Sequence, residues 1–176
     1  MTKTLIIPGR DGARPGHWQH WWAMRDPAAL IVAQEPWAAS APDAWEMQVA
    51  GAILSHPGAI LVGHGHGAVV AARLLTHWPQ LQVVGALLVA PAEAEAGPLP
   101  EGRITVPTLL VASRNDPFLP FSVALQQARA WGVEPVDLGH AGHIDAEAGF
   151  GPWPEGIDLR DGLLRGPAAP RLLQGR

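Results

Sequence analysis

Short runs of apolar residues alternate along the chain with stretches whose apolar positions recur at helical spacing, and this alternation predicts strands joined by covering helices. The strand candidates are Thr4 to Ile7, Leu30 to Ala33, Ala59 to Val62, Val83 to Val89, Pro107 to Val111 and Glu134 to Leu138. Several are apolar at almost every position, as strands buried on both faces require. Pro42 to Leu54 carries Trp45, Val49 and Ile53 at i, i+4 and i+8 behind a Ser40 cap, which predicts an amphipathic helix. Further helices are expected at Ala68 to Leu75, Phe121 to Trp131 and Gly156 to Leu164, the first with alanines small enough to lie close to a sheet. Trp18, Trp21 and Trp22 share a short helix, and the i, i+4 spacing of Trp18 and Trp22 predicts packing against the core. The pattern implies an α/β fold: one domain over residues 1–164, a three-layer sandwich with a mostly parallel sheet of about six strands. Residues 165–176, rich in Pro, Gly and Arg, read as a flexible tail.

The stretch Leu61-Val62-Gly63-His64-Gly65-His66-Gly67-Ala68 stands where a strand should turn into a helix. It has the outline of a G-x-S-x-G nucleophile elbow, whose middle residue is lifted above the sheet and whose flanking glycines allow close helix–strand packing. Glycine 65 occupies the middle position. An elbow also requires an acid and then a histidine later in the chain. Asp116 follows the strand candidate Pro107 to Val111 and His143 follows Glu134 to Leu138, each just past a carboxyl strand end, where open parallel sheets gather their ligands.

Three other readings compete. His64-x-His66 with His140-x-x-His143 has metal-ligand character, but the glycines argue for a tight turn that breaks extended geometry, and no carboxylate lies within the motif. A dinucleotide loop needs its third glycine one residue later and an acid about twenty residues on, neither of which is present. A glycine turn that merely joins strand to helix is the plainest alternative.

Composition narrows the partners. The chain has 176 residues, 48% of them hydrophobic, enough to bury one sizeable core. With 12 basic and 16 acidic side chains it carries a net charge of -4, with no basic face for phosphate, so a small molecule rather than nucleic acid is the expected partner. There is no cysteine, which removes disulfides, thiolate nucleophiles and Cys-ligated zinc together. No run approaches the roughly 18 apolar residues of a membrane span, and no signal-peptide pattern opens the chain, so no membrane association and a cytoplasmic location are expected. No cofactor and no metal is expected.

Taken with Ile7-Pro8-Gly9, Gly16-His17-Trp18-Gln19, Glu35-Pro36-Trp37, Gly85 to Pro91, Val111-Ala112-Ser113, Asn115-Asp116-Pro117-Phe118, Gly142-His143-Ile144, Ala146 to Gly149 and Gly151 to Gly156, the chain from Leu5 to Leu164 resembles the small α/β-hydrolase-fold serine hydrolases of the retinoblastoma-binding serine hydrolase and YdeN family. The resemblance implies Asp116 as orienting acid and His143 as general base. It implies an oxyanion hole from the backbone of His66 and of Arg10, and it places the nucleophilic serine at Gly65. Contacts to substrate are expected from His64, Phe150 and Trp153, the last two as an apolar cleft wall. His17, at a helix start, reads as structural. His64 and His66 flank the turn without reaching its apex, and Ser40, Ser55, Ser113 and Ser122 belong to other elements, Ser113 being the nearest to the acid.

Losing a triad nucleophile costs on the order of a million-fold in turnover. The chain is therefore expected to be a nucleophile-substituted variant of a serine esterase or amidase, or a non-covalent Asp-His general-base enzyme (hydrolase, lyase or cyclase) acting on a small apolar substrate. The alternative is an inactive pseudoenzyme that keeps the cleft as a ligand-binding or protein-interaction module.

Overall fold

A computed structural model describes residues 1–32, 42–92 and 97–166. The elements in chain order are β1 (Thr4–Ile7), α1 (Trp18–Arg25), β2 (Ala29–Ile31), α2 (Pro42–Ser55), β3 (Ala59–His64), α3 (His66–His77), β4 (Val83–Val89), β5 (Thr108–Ala112), α4 (Phe121–Trp131), β6 (Glu134–Asp137) and α5 (Pro154–Arg165). The strands form one sheet in the order β2-β1-β3-β4-β5-β6, every pair parallel. This is the six-stranded α/β sandwich that the alternation predicts. The Ser40 cap and the Glu35-Pro36-Trp37 motif lie outside the described residues.

Period-two alternation divides the apolar residues between two cores. Leu5, Ile7, Leu61 and Leu88 face one side, where α2, α3 and α4 contribute Trp45, Val69, Leu74, Ala128 and Trp131. Ile6, Val62, Leu87, Val89 and Val111 face the other, where Trp18, Trp22 and Trp153 pack. Each fully buried aliphatic side chain contributes about 1.5–3 kcal/mol relative to exposure. On the second face Arg160 of α5 donates through Nη1 to Thr4 Oγ1 and Asp26 Oδ2, both at 2.6 Å, and lies over the Trp22 ring. Thus the last helix is fastened to the first strand and to the turn after α1.

Element boundaries differ from the sequence pattern where backbone pairing outruns hydrophobicity. β3 continues two residues past Val62, because Gly63 pairs with Leu88 and His64 with Val89. α3 begins at His66 rather than Ala68, directly after the turn. α5 starts at Pro154, where a proline at the first helical position gives up no hydrogen bond.

Two glycines explain how α3 can seat so close to the sheet. A Cβ on Gly67 would overlap the carbonyl oxygens of Ile7 and Pro8, and one on Gly63 would stand 2.6 Å from the Ala68 Cα. Any larger residue at either position would push α3 away from β1 and β3. The tight strand-to-helix turn therefore comes from glycine at 63 and 67, and it leaves residue 65 at the apex.

Candidate active site

Five loops, at the carboxyl ends of β1, β3, β4, β5 and β6, converge on one cavity of about 390 Å³, within the range of small-molecule sites. Gly65 forms part of its wall at φ 54 and ψ -120, a conformation that favours glycine. Its N–H donates to the Val89 carbonyl at 2.9 Å, and its carbonyl accepts from Ala68 and Val69 in the first turn of α3. Gly65 is thus held from both sides with its Cα turned toward the cavity. The nearest atom to an added Cβ would be His143 Nε2, 3.3 Å away, with Gly9 Cα next at 3.9 Å.

Asp116 and His143 meet. His143 Nδ1 lies 3.1 and 3.0 Å from the two Asp116 carboxylate oxygens, and the Asp116 side chain is fully buried. Asp116 Oδ1 also accepts from the backbone N–H groups of Phe118 (2.8 Å) and Leu119 (3.3 Å), which hold the carboxylate independently of the imidazole. With Nδ1 donating to the acid, Nε2 is the basic nitrogen, and it is the one that faces residue 65. The Phe118 ring meets the imidazole edge-on at 4.9 Å between centroids.

Two polar residues that sequence reasoning did not assign join the acid loop to the base loop. The Ser113 hydroxyl donates to Asn115 Oδ1 at 2.8 Å and accepts from the Ala141 N–H at 2.9 Å. Asn115 Oδ1 in turn accepts from the Gly142 N–H at 2.8 Å. Ser113, the serine that the sequence places nearest to the acid, is thereby a loop fastener. The signal was present as Ser-x-Asn-Asp after a strand, but short polar residues in a turn look alike whether they cap it or do chemistry.

Three histidines besides His143 line the cavity. His17 Nδ1 accepts from the Gln19 N–H and so caps α1, as a structural reading requires, while its ring also forms part of the cavity wall. His64 is buried, its ring 4.9 Å from both His17 and His143, and its Nε2 donates to the His143 carbonyl at 2.9 Å. Burial, reinforced by the neighbouring His17 and His143, pushes the His64 pKa down to about 3. Burial likewise lowers His17 to about 4, with Asp145 working the other way. Both rings are therefore neutral at pH 7. The His66 ring packs 4.0 Å from Trp45, on the far side of the turn from His64. No group of three or more His, Asp or Glu among the described residues is arranged to hold a metal ion.

Arg10 and His66, expected at the oxyanion hole, both border the cavity. His66 is the first residue of α3, where backbone N–H groups lack intrahelical acceptors and the helix dipole favours negative charge. Phe150 and Trp153 are elsewhere. Trp153 is 3% exposed and packs with Trp18 and Trp22 in the second core, and Phe150 lies edge-on to it. The expected apolar cleft wall is corrected accordingly. These aromatics support the His143 loop from beneath, and the cavity is bordered instead by Arg10, Asp11, Arg14, Asp145 and Glu147, with Phe118 as its aromatic member. The Trp153 ring packs against Trp18 and Trp22, whose buried indole N–H groups find acceptors in the loop carbonyls, Ile144 to Trp18 Nε1 at 2.8 Å and Trp153 to Trp22 Nε1 at 3.3 Å.

The profile of the serine hydrolase family matches residues 4–161. Among solved structures, the chain is 35% identical to a YdeN-like hydrolase from Pectobacterium atrosepticum, over 93% of this chain and 90% of that one, with a TM-score of 0.82. The ydeN gene product of Bacillus subtilis is 20% identical over 94% of this chain and 100% of its own, with a TM-score of 0.76. A serine hydrolase homologue from Coxiella burnetii shares the fold at 17% identity over 96% and 85%, with a TM-score of 0.64. No curated protein matches. The chain belongs to the serine hydrolase family and has the α/β-hydrolase fold.

Proposed function

We propose that on this serine hydrolase frame His143, oriented by Asp116, works as a general base without a covalent intermediate, acting on a small ester or amide bound over Gly65. The observation that carries this reading is the position of His143 Nε2, the atom closest to where a side chain on residue 65 would begin. With no side chain at 65, that space is available to a water or to a substrate atom. His143 Nε2 removes a proton from water as its oxygen attacks the carbonyl carbon. The oxyanion that forms is received at the helix start of His66 and at Arg10, and as the intermediate collapses the same proton passes from Nε2 to the leaving oxygen or nitrogen. Asp116 holds Nδ1–H throughout and stabilises the imidazolium.

The cavity pairs charged side chains, Arg10, Asp11, Arg14, Asp145 and Glu147, with the apolar surface of Phe118 and Ala92, which suits a substrate that carries both polar and apolar groups. The test is hydrolysis of a panel of short-chain p-nitrophenyl esters and anilides by the chain and by its His143→Ala variant. Turnover that falls at least a hundredfold on removing His143 is the expected result. Turnover unchanged by that substitution overturns the general-base reading. No turnover at all, with a ligand retained through purification, favours a binding module built on the same cavity.

A further inference from the structure

The backbone that carries His143 is unusual. The next residue, Ile144, has φ 54, a left-handed conformation that a β-branched side chain rarely enters. Such a turn persists only when its surroundings hold it in place. Two consecutive carbonyls across this turn each accept from a buried side chain on a distant element. The His143 carbonyl takes His64 Nε2–H at 2.9 Å, and the Ile144 carbonyl takes Trp18 Nε1–H at 2.8 Å. His64 and Trp18 are 5% and 0% exposed, and their rings lie edge-to-face, 5.9 Å apart. Gly9 leaves room for this arrangement, since a Cβ there would stand 3.2 Å from His64 Nδ1.

We infer that His64, assisted by Trp18, is a positioning residue: it braces the strained His143-Ile144 turn from the elbow strand and so sets the distance between residue 65 and the His143 imidazole. The inference rests on the Asp116–His143 reading above. His64 immediately precedes residue 65, so the reference point for the reacting space and the brace on the base are joined by a single peptide link. An error in the height of the elbow is carried to the base by the same strand. His64 stays neutral under ordinary conditions, so the brace does not compete for the proton that His143 handles.

The experiment uses the full chain labelled with 15N-histidine. The Nδ1 proton of His143, donated to Asp116, should give a strongly deshielded, slowly exchanging resonance, which disappears in Asp116→Asn. In His64→Phe, which keeps a ring and removes the donor, that resonance is expected to move upfield and be lost to exchange. In His64→Gln, whose side-chain amide restores a donor at about the reach of His Nε2, it should return. Where His64→Phe does not fold, Trp18→Phe reads the other half of the brace with the same expected loss. An unchanged resonance in folded His64→Phe or folded Trp18→Phe overturns the brace while leaving the Asp-His pair standing. Absence of the resonance from the unmodified chain counts against the Asp-His pair itself, and the brace falls with it.

Discussion

Acid should unfold this protein through its neutral histidines before its carboxylates matter. His17 and His64 hold pKa values of about 4 and about 3 in the fold, against 6.5 for an ordinary histidine. Both values are lowered, so in this interval the unfolded chain binds protons that the folded chain refuses, and stability falls as pH falls. The loss begins near the unfolded value of 6.5 and levels off only below the folded values. Each proton taken up on unfolding gives a slope approaching about 1.4 kcal/mol per pH unit. Two such groups cost about 3–4 kcal/mol between pH 7 and pH 5, a large share of the roughly 5–15 kcal/mol of a typical domain. Urea unfolding followed by tryptophan fluorescence at pH 7, 6 and 5 measures the loss. His17→Asn keeps an N-cap acceptor for the Gln19 N–H but removes the titrating ring, so about half of the pH dependence should vanish. Equal pH dependence in the chain and in His17→Asn would refute the argument, because it would mean that the buried rings do not titrate on unfolding.

The glycine turn gives a second forecast, read as unfolding free energy. Gly67→Ala should cost about 3 kcal/mol or more, because its Cβ meets the backbone of Ile7 and Pro8, which cannot move without shifting β1. Gly65→Ala should cost only about 1–2 kcal/mol, since beyond an unfavourable φ its Cβ is crowded only by the His143 side chain, at 3.3 Å, and not by backbone. Equal costs at the two positions would show that the turn is not seated as described.

How much of this was legible in the sequence follows from what kind of signal each feature leaves. The central strands and α4 were readable because burial on both faces leaves unbroken apolar runs, as in Val83–Val89, and because a helix stripe repeats at fixed spacing, as in Phe121–Trp131. Asp116 and His143 could be picked out because strand ends in a parallel sheet all open onto one edge, so their order along the chain already implied proximity. Trp153 and Phe150 were misplaced because nearness in sequence to His143 says nothing about which way a loop side chain turns. An indole has as much reason to go into a core as into a cleft. The roles of Ser113, Asn115 and His64 could not be assigned from the sequence. Ser113 and Asn115 leave only an ambiguous polar turn, and the contacts that define all three roles cross long sequence separations, His64 reaching a carbonyl at residue 143.

The arrangement of Asp116, His143 and residue 65 is the centre of the account, and Gly65→Ser tests it most directly. Its Cβ would stand 3.3 Å from His143 Nε2, so the hydroxyl comes within hydrogen-bond reach of a base already oriented by its acid. The account predicts that this variant becomes labelled by a fluorophosphonate probe and gains p-nitrophenyl ester hydrolysis by several orders of magnitude, approaching the roughly million-fold that a triad nucleophile supplies. A folded Gly65→Ser protein that neither labels nor gains hydrolysis would contradict it.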